Sequence, residues 1–133
     1  MEDTEKKQNE ESRIKNFRDL KIWQRAIKLV EKIYGITKKF PNTETFGLIL
    51  QMKRASVSIP SNIAEGFARS SNKEYQRFLF ISRGSCAELV TQLIISSNLG
   101  YICKNDANML IDETEQISKM TMSLINKVHE NIN

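Results

Sequence analysis

The chain predicts an all-α fold, an up-and-down four-helix bundle, and three observations carry that expectation. Apolar residues recur at steps of three and four along most of the chain, which is the spacing of one helix face. No run of alternating β-branched residues competes with them. Glycine and proline are scarce, five and two in 133 residues, which argues against a turn-rich sandwich, a collagen or a linker protein. A chain of this length makes one domain and buries enough surface to need no covalent staples.

The elements follow in order. Residues 1–16 hold five acids and four bases, with only Met1 and Ile14 apolar, so they are expected to form a flexible charged tail. Residues 17–133 are expected to form the bundle. The first helix begins near Asp19, an N-cap residue type, and ends before Phe40-Pro41. Leu20, Trp23, Ile27, Val30 and Tyr34 step alternately by three and four and form its expected core seam. The second helix follows Pro41-Asn42-Thr43 and stops at Gly66, a residue type that closes helices. Pro60 lies inside it, and the missing backbone donor predicts a kink near Ser56–Pro60. Ser71 and Glu74 match a capping box at the start of the third helix, and Gly100 ends it. The fourth begins around Asn105-Asp106, with Leu110, Ile117, Leu124 and Val128 inward and Met120 beside them. Short loops make consecutive helices antiparallel.

The net charge of +4 is unevenly spread. Residues 17–40 hold seven bases against two acids, whereas residues 101–133 are net acidic. On the first helix Arg18, Lys21, Arg25, Lys28 and Lys32 repeat the three-four step. At about 100° per residue their stripe centres opposite the Trp23 seam. An ordinary solvated face mixes both signs, but here only Glu31 interrupts, away from the centre. Aligned cations at this spacing suit successive phosphates, so this stripe is the candidate nucleic-acid surface. Arg69, Lys73 and Arg77 form a secondary basic ladder, weakened by neighbouring Glu65 and Glu74.

The second helix is apolar around most of its circumference, so it is expected at the centre or in a subunit interface. Its narrow polar stripe is Gln51, Arg54, Ser58, Asn62 and Glu65. With Glu88 and Gln92 of the third helix, Gln51, Arg54, Asn62 and Glu65 are expected to form a hydrogen-bond network that fixes bundle register, a ligand site being the alternative. Trp23 is expected in the core rather than stacked on a base. Gly84, in mid-helix, costs about 1 kcal/mol relative to alanine, which close approach of a neighbouring helix or subunit would offset.

Several function classes lose support. Cys86 and Cys103 make no disulfide framework, and with His129 they fall short of the four ligands of a structural zinc site. No nucleophile elbow or converging acid–base set appears, so neither an enzyme nor a cofactor or metal is expected. The longest uncharged stretch, from Leu89 to Cys103, is short for a bilayer span. The N-terminus lacks the apolar core of a secretory signal. A cytoplasmic protein without a membrane partner is expected.

Three blocks carry a family resemblance. Residues Phe17 to Ala26, Gln51 to Gly66 with its Asn62-Ile63-Ala64-Glu65-Gly66 end, and a third block made of Glu74 to Leu79, Arg83-Gly84-Ser85, Glu88-Leu89 and Leu99 to Ile102 resemble the four-helix-bundle family of 23S rRNA-intervening-sequence proteins. The resemblance covers about residues 17–128. The family is similar to accessory proteins of diversity-generating retroelements, which implies a five-subunit ring with a basic surface and association with a reverse transcriptase and nucleic acid. It supplies no catalytic residues. The expectation is therefore a non-enzymatic homo-oligomer, a pentamer by this resemblance, that binds RNA or DNA through its basic face, structured RNA being favoured. The alternative is a protein-interaction scaffold or accessory subunit of an enzyme such as a reverse transcriptase.

Overall fold

The computed structural model describes residues 14–130. Four helices carry the fold: α1 Lys21–Thr37, α2 Leu48–Phe67, α3 Asn72–Asn98 and α4 Lys104–Glu130. Short 3-10 turns at Phe17–Asp19 and Asn42–Glu44 precede α1 and α2. Among the described residues there is no strand. α3 packs along both α2 and α4, and α1 lies against the same two helices. Residues 1–13 of the expected tail lie outside the described residues. Ile14, by contrast, packs against the core, and the Asn16 side chain accepts from the Arg18 N–H at 3.0 Å.

The helix ends show which local signals act. α1 starts after Leu20 rather than at an Asp19 cap, because Asp19 is taken into the preceding 3-10 turn. α2 starts at Leu48, whose N–H donates to the Glu44 carboxylate at 3.0 Å. Ser71 caps α3 by accepting from the Glu74 N–H at 3.3 Å, but the Glu74 side chain turns to Arg77 instead of closing the box. Gly100 ends α3 with φ +80°. Tyr101 N–H donates to Ser96 O at 2.9 Å and Gly100 N–H to Ser97 O at 3.0 Å, the two bonds of a Schellman closure.

Two features of α2 depart from expectation. Gly66 is not a stop signal: it is buried inside the helix. A Cβ there would lie 2.9 Å from the Phe78 Cβ, so the glycine allows close approach of α3. Nor does Pro60 interrupt α2, which is helical from Leu48 to Phe67, so the kink is not confirmed. One residue before the proline, Ile59 O accepts from the buried Ser82 hydroxyl at 3.0 Å, which ties that turn to α3.

The core seam of α1 also differs. Its buried residues are Ile22, Ala26, Leu29, Ile33 and Thr37. Trp23, Ile27 and Val30 are only half-buried, lining a cleft with Val57, Pro60 and Ala64 of α2, and Tyr34 is 41% exposed. The apolar arc of α1 is wide because it serves both the bundle interior and the flank of α2. Periodicity finds such an arc but not its inward centre.

Candidate nucleic-acid interface

The rotated seam decides where the cations sit. Arg18 lies outside α1, in the preceding 3-10 turn, and at about 100° per residue the rest of the stripe, Lys21, Arg25, Lys28 and Lys32, centres roughly 110° from the buried seam rather than opposite it. That places it on the flank of α1 that meets α4. Arg25 is therefore no free phosphate ligand. Its Nε donates to Glu113 Oε1 at 2.9 Å and its Nη2 to Glu113 Oε2 at 2.8 Å, a bidentate pair. Nη2 also donates to Gln116 Oε1 at 2.7 Å, and Nη1 lies 3.1 Å from Met120 Sδ. The expectation of an unneutralised stripe fails at its middle residue, because α4 brings a carboxylate there.

The remaining four cations are exposed. Among the described residues, no carboxylate forms an ion pair with Arg18, Lys21, Lys28 or Lys32. Arg18 lies 5.8 Å from the centre of the Phe17 ring. Lys32 stands by Glu113 in a groove that Asp106 and Asp112 also line. The hydrogen bonds from Arg25 hold the Glu113 carboxyl below its ordinary value against the opposing effect of burial, and the charges of Arg25 and Lys32 add to the lowering. A depressed folded-state pKa gives stability that is present above the unfolded value and is lost as pH falls through the folded one. The wild type should thus lose up to about 1 kcal/mol from this partly exposed pair below roughly pH 4.3. Glu113→Gln should lack that part of the slope in urea titrations at stepped pH; an identical slope would show that the pair contributes nothing.

The secondary ladder is largely neutralised. Arg69 pairs with Glu65 at 2.8 Å and Arg77 with Glu74 at 3.0 Å. Both guanidinium groups stand over the Phe78 ring, at 4.9 and 4.7 Å from its centre. Lys73 is exposed.

The polar network between α2 and α3 forms from other residues than those expected. Ser58 Oγ and Ser85 Oγ share a hydrogen bond of 2.8 Å. Of the expected members only Asn62 joins, donating to Ser58 O and Oγ. Arg54 is exposed rather than buried, as are Gln51, Glu65 and Glu88, so water satisfies what a core would not. Gln51, Arg54, Glu88 and Gln92 do share one place, a groove of about 640 Å³ between α2 and α3. Gln92 is buried, and its Oε1 has no hydrogen-bond partner. The small hydroxyls of Ser82 and Ser85 on α3, with Ser58 of the polar stripe on α2, form the network, and the two on α3 were missed. Their recurrence on facing helices was the signal, and serines are too common for it to stand out.

Burial pushes the Cys86 thiol up to about 12, although the charge of Arg83 works the other way. Among the described residues no group of three or more His, Cys, Asp or Glu side chains is placed to hold a metal ion. One described helix, α3, is long and apolar enough to cross a membrane by length and composition. Its inner side, with Leu79, Leu89 and Leu93, is the core of the bundle.

These features define an up-and-down helical bundle with a partly neutralised basic flank. The chain belongs to the 23S rRNA-intervening sequence protein family, whose model matches residues 18–123. No curated protein matches it. A crystal structure from Bacteroides thetaiotaomicron VPI-5482, of a protein with unknown function from the S23 ribosomal protein family, has a similar fold. It superposes with a TM-score of 0.73 at 21% identity, covering 78% of this chain and 97% of that one.

Proposed function

We propose that this protein is a non-enzymatic, homo-oligomeric helical bundle that binds nucleic acid, structured RNA above all, through phosphate contacts on α1 and the 3-10 turn before it. The observation that carries the proposal is the row of exposed Arg18, Lys21, Lys28 and Lys32, none paired with a described carboxylate. Recognition is by shape and charge, as suits a bundle with no base-reading module. Arg25 supports the surface indirectly, by fixing α1 against α4. The test uses Lys21→Gln with Lys28→Gln, which spares the Arg25–Glu113 pair. Binding to a structured RNA should weaken, and the slope of log K against log salt should fall by roughly one to two. Unchanged binding at moderate salt, or none by the wild type, would overturn the proposal.

The scaffold alternative has its own support in the apolar outer face of α3, where Phe80, Ile81, Ile94 and Ile95 are each more than 40% exposed. In that case the partner is a protein, for example a reverse transcriptase. Recovery of such a partner that survives nuclease treatment favours the scaffold; recovery lost on nuclease treatment favours nucleic acid.

A further inference from the structure

Ile14 marks where residues 1–13 join the bundle, and it joins beside the proposed phosphate surface. Its side chain packs against the core, in a groove of about 400 Å³ that Leu20, Phe67, Tyr75 and Leu124 also line. An apolar side chain seated there holds the chain at one place, because releasing it would return apolar surface to water. That place opens on the flank between α1 and α4. Lys21, the first cation of α1, lines the same groove, and so does Met120, whose sulfur meets Arg25. No carboxylate among the described residues lines it.

The residues upstream carry the opposite sign to the flank. Residues 2–11 hold Glu2, Asp3, Glu5, Glu10 and Glu11 against Lys6 and Lys7, a net charge of −3. Arg18, Lys21 and Lys28 are exposed and form no ion pair with a described carboxylate. Lys32 differs, because Asp106, Asp112 and Glu113 share its groove. α4 thus supplies acids beside Lys32 but none in the groove at Lys21. The distances agree with the charges. An extended chain covers about 3.3–3.6 Å per residue, so Glu11 and Glu10 reach roughly 10–14 Å from Ile14. Lys21 and Lys28, two turns apart, are separated by about 10 Å along the helix. Glu2, Asp3 and Glu5 have roughly 30–40 Å of reach, enough for the whole of α1.

From this we infer that the acidic segment 2–11 docks on Arg18, Lys21 and Lys28, with Ile14 as its anchor, and competes with phosphate for them. A segment tethered this close meets its site at an effective concentration on the order of millimolar, so weak, exposed ion pairs suffice to compete. The inference rests on the phosphate surface of the proposed function and adds its regulation: an incoming nucleic acid must displace the chain's own carboxylates.

Two measurements on the full chain test it. In the first, carbodiimide joins neighbouring carboxylates and amines without RNA present, and peptide mass spectrometry locates the links. Glu10 or Glu11 should be linked to Lys21 or Lys28 within one copy, which mixing with isotope-labelled protein establishes. Links found only between copies, or none to these lysines, overturn the docking. The second measurement is affinity for a structured RNA at low salt. Combining Glu2→Gln, Asp3→Asn, Glu5→Gln, Glu10→Gln and Glu11→Gln should raise it about threefold to tenfold, and added salt should shrink the gain. Ile14→Ser keeps every charge but loosens the anchor. It should raise affinity about twofold with wild-type helix content. Unchanged affinity in both variants, or a gain in the charge variant alone, overturns the competition. A wild type that binds no RNA overturns the proposed function instead, and the links then decide the docking by themselves.

Discussion

Replacing Gly66 with alanine should destabilise the fold by about 1–3 kcal/mol, the usual cost of forcing an extra carbon into a filled space. The atoms it meets decide the sign. The new Cβ would lie 2.9 Å from the Phe78 Cβ, 3.0 Å from Tyr75 Cδ1 and 3.2 Å from the Tyr75 carbonyl oxygen. Two of these are backbone or the root of a side chain, which cannot swing away. Relief therefore requires α2 and α3 to separate, and they form the largest helix–helix contact in the fold. The melting midpoint should fall by several degrees. Gly35→Ala is the control, because a Cβ there meets nothing within 4 Å and α1 should gain the helix propensity of alanine. Equal midpoints for Gly66→Ala and the wild type would refute the close approach.

What the sequence made legible follows from the range of each signal. Short-range signals held: Ser71 caps α3, Gly100 closes it in the left-handed region, and the four helices fall in the expected order. Signals that depend on a distant partner did not. Gly66 looks like a helix stop in one dimension, and only the position of Phe78 reveals it as a contact residue. Arg25 looks like the middle of a bare cationic stripe, yet Glu113 lies 88 residues on. The Trp23 seam is regular, but α1 leans on two helices at once, and the buried direction falls at the edge of that seam. Arg54 and Glu88 were rightly grouped in one place, the groove, and wrongly placed in the interior.

The sharpest contrast between core and rim should appear at two adjacent residues of α3. Leu89 is fully buried where α3 meets its neighbours, and Leu89→Ala should cost about 2–5 kcal/mol, the range for a leucine truncated in a rigid core. Marginal stability of about 5–15 kcal/mol makes this a large share. The loss should be felt throughout, because α3 is the helix on which both α2 and α4 pack. Glu88, one residue earlier, is exposed at the groove rim. Glu88→Ala should move monomer stability by no more than about 0.5 kcal/mol. Urea unfolding separates the two. If Glu88→Ala proved as damaging as Leu89→Ala there, the carboxylate would belong to the fold, and its place on an outward-facing rim would be wrong.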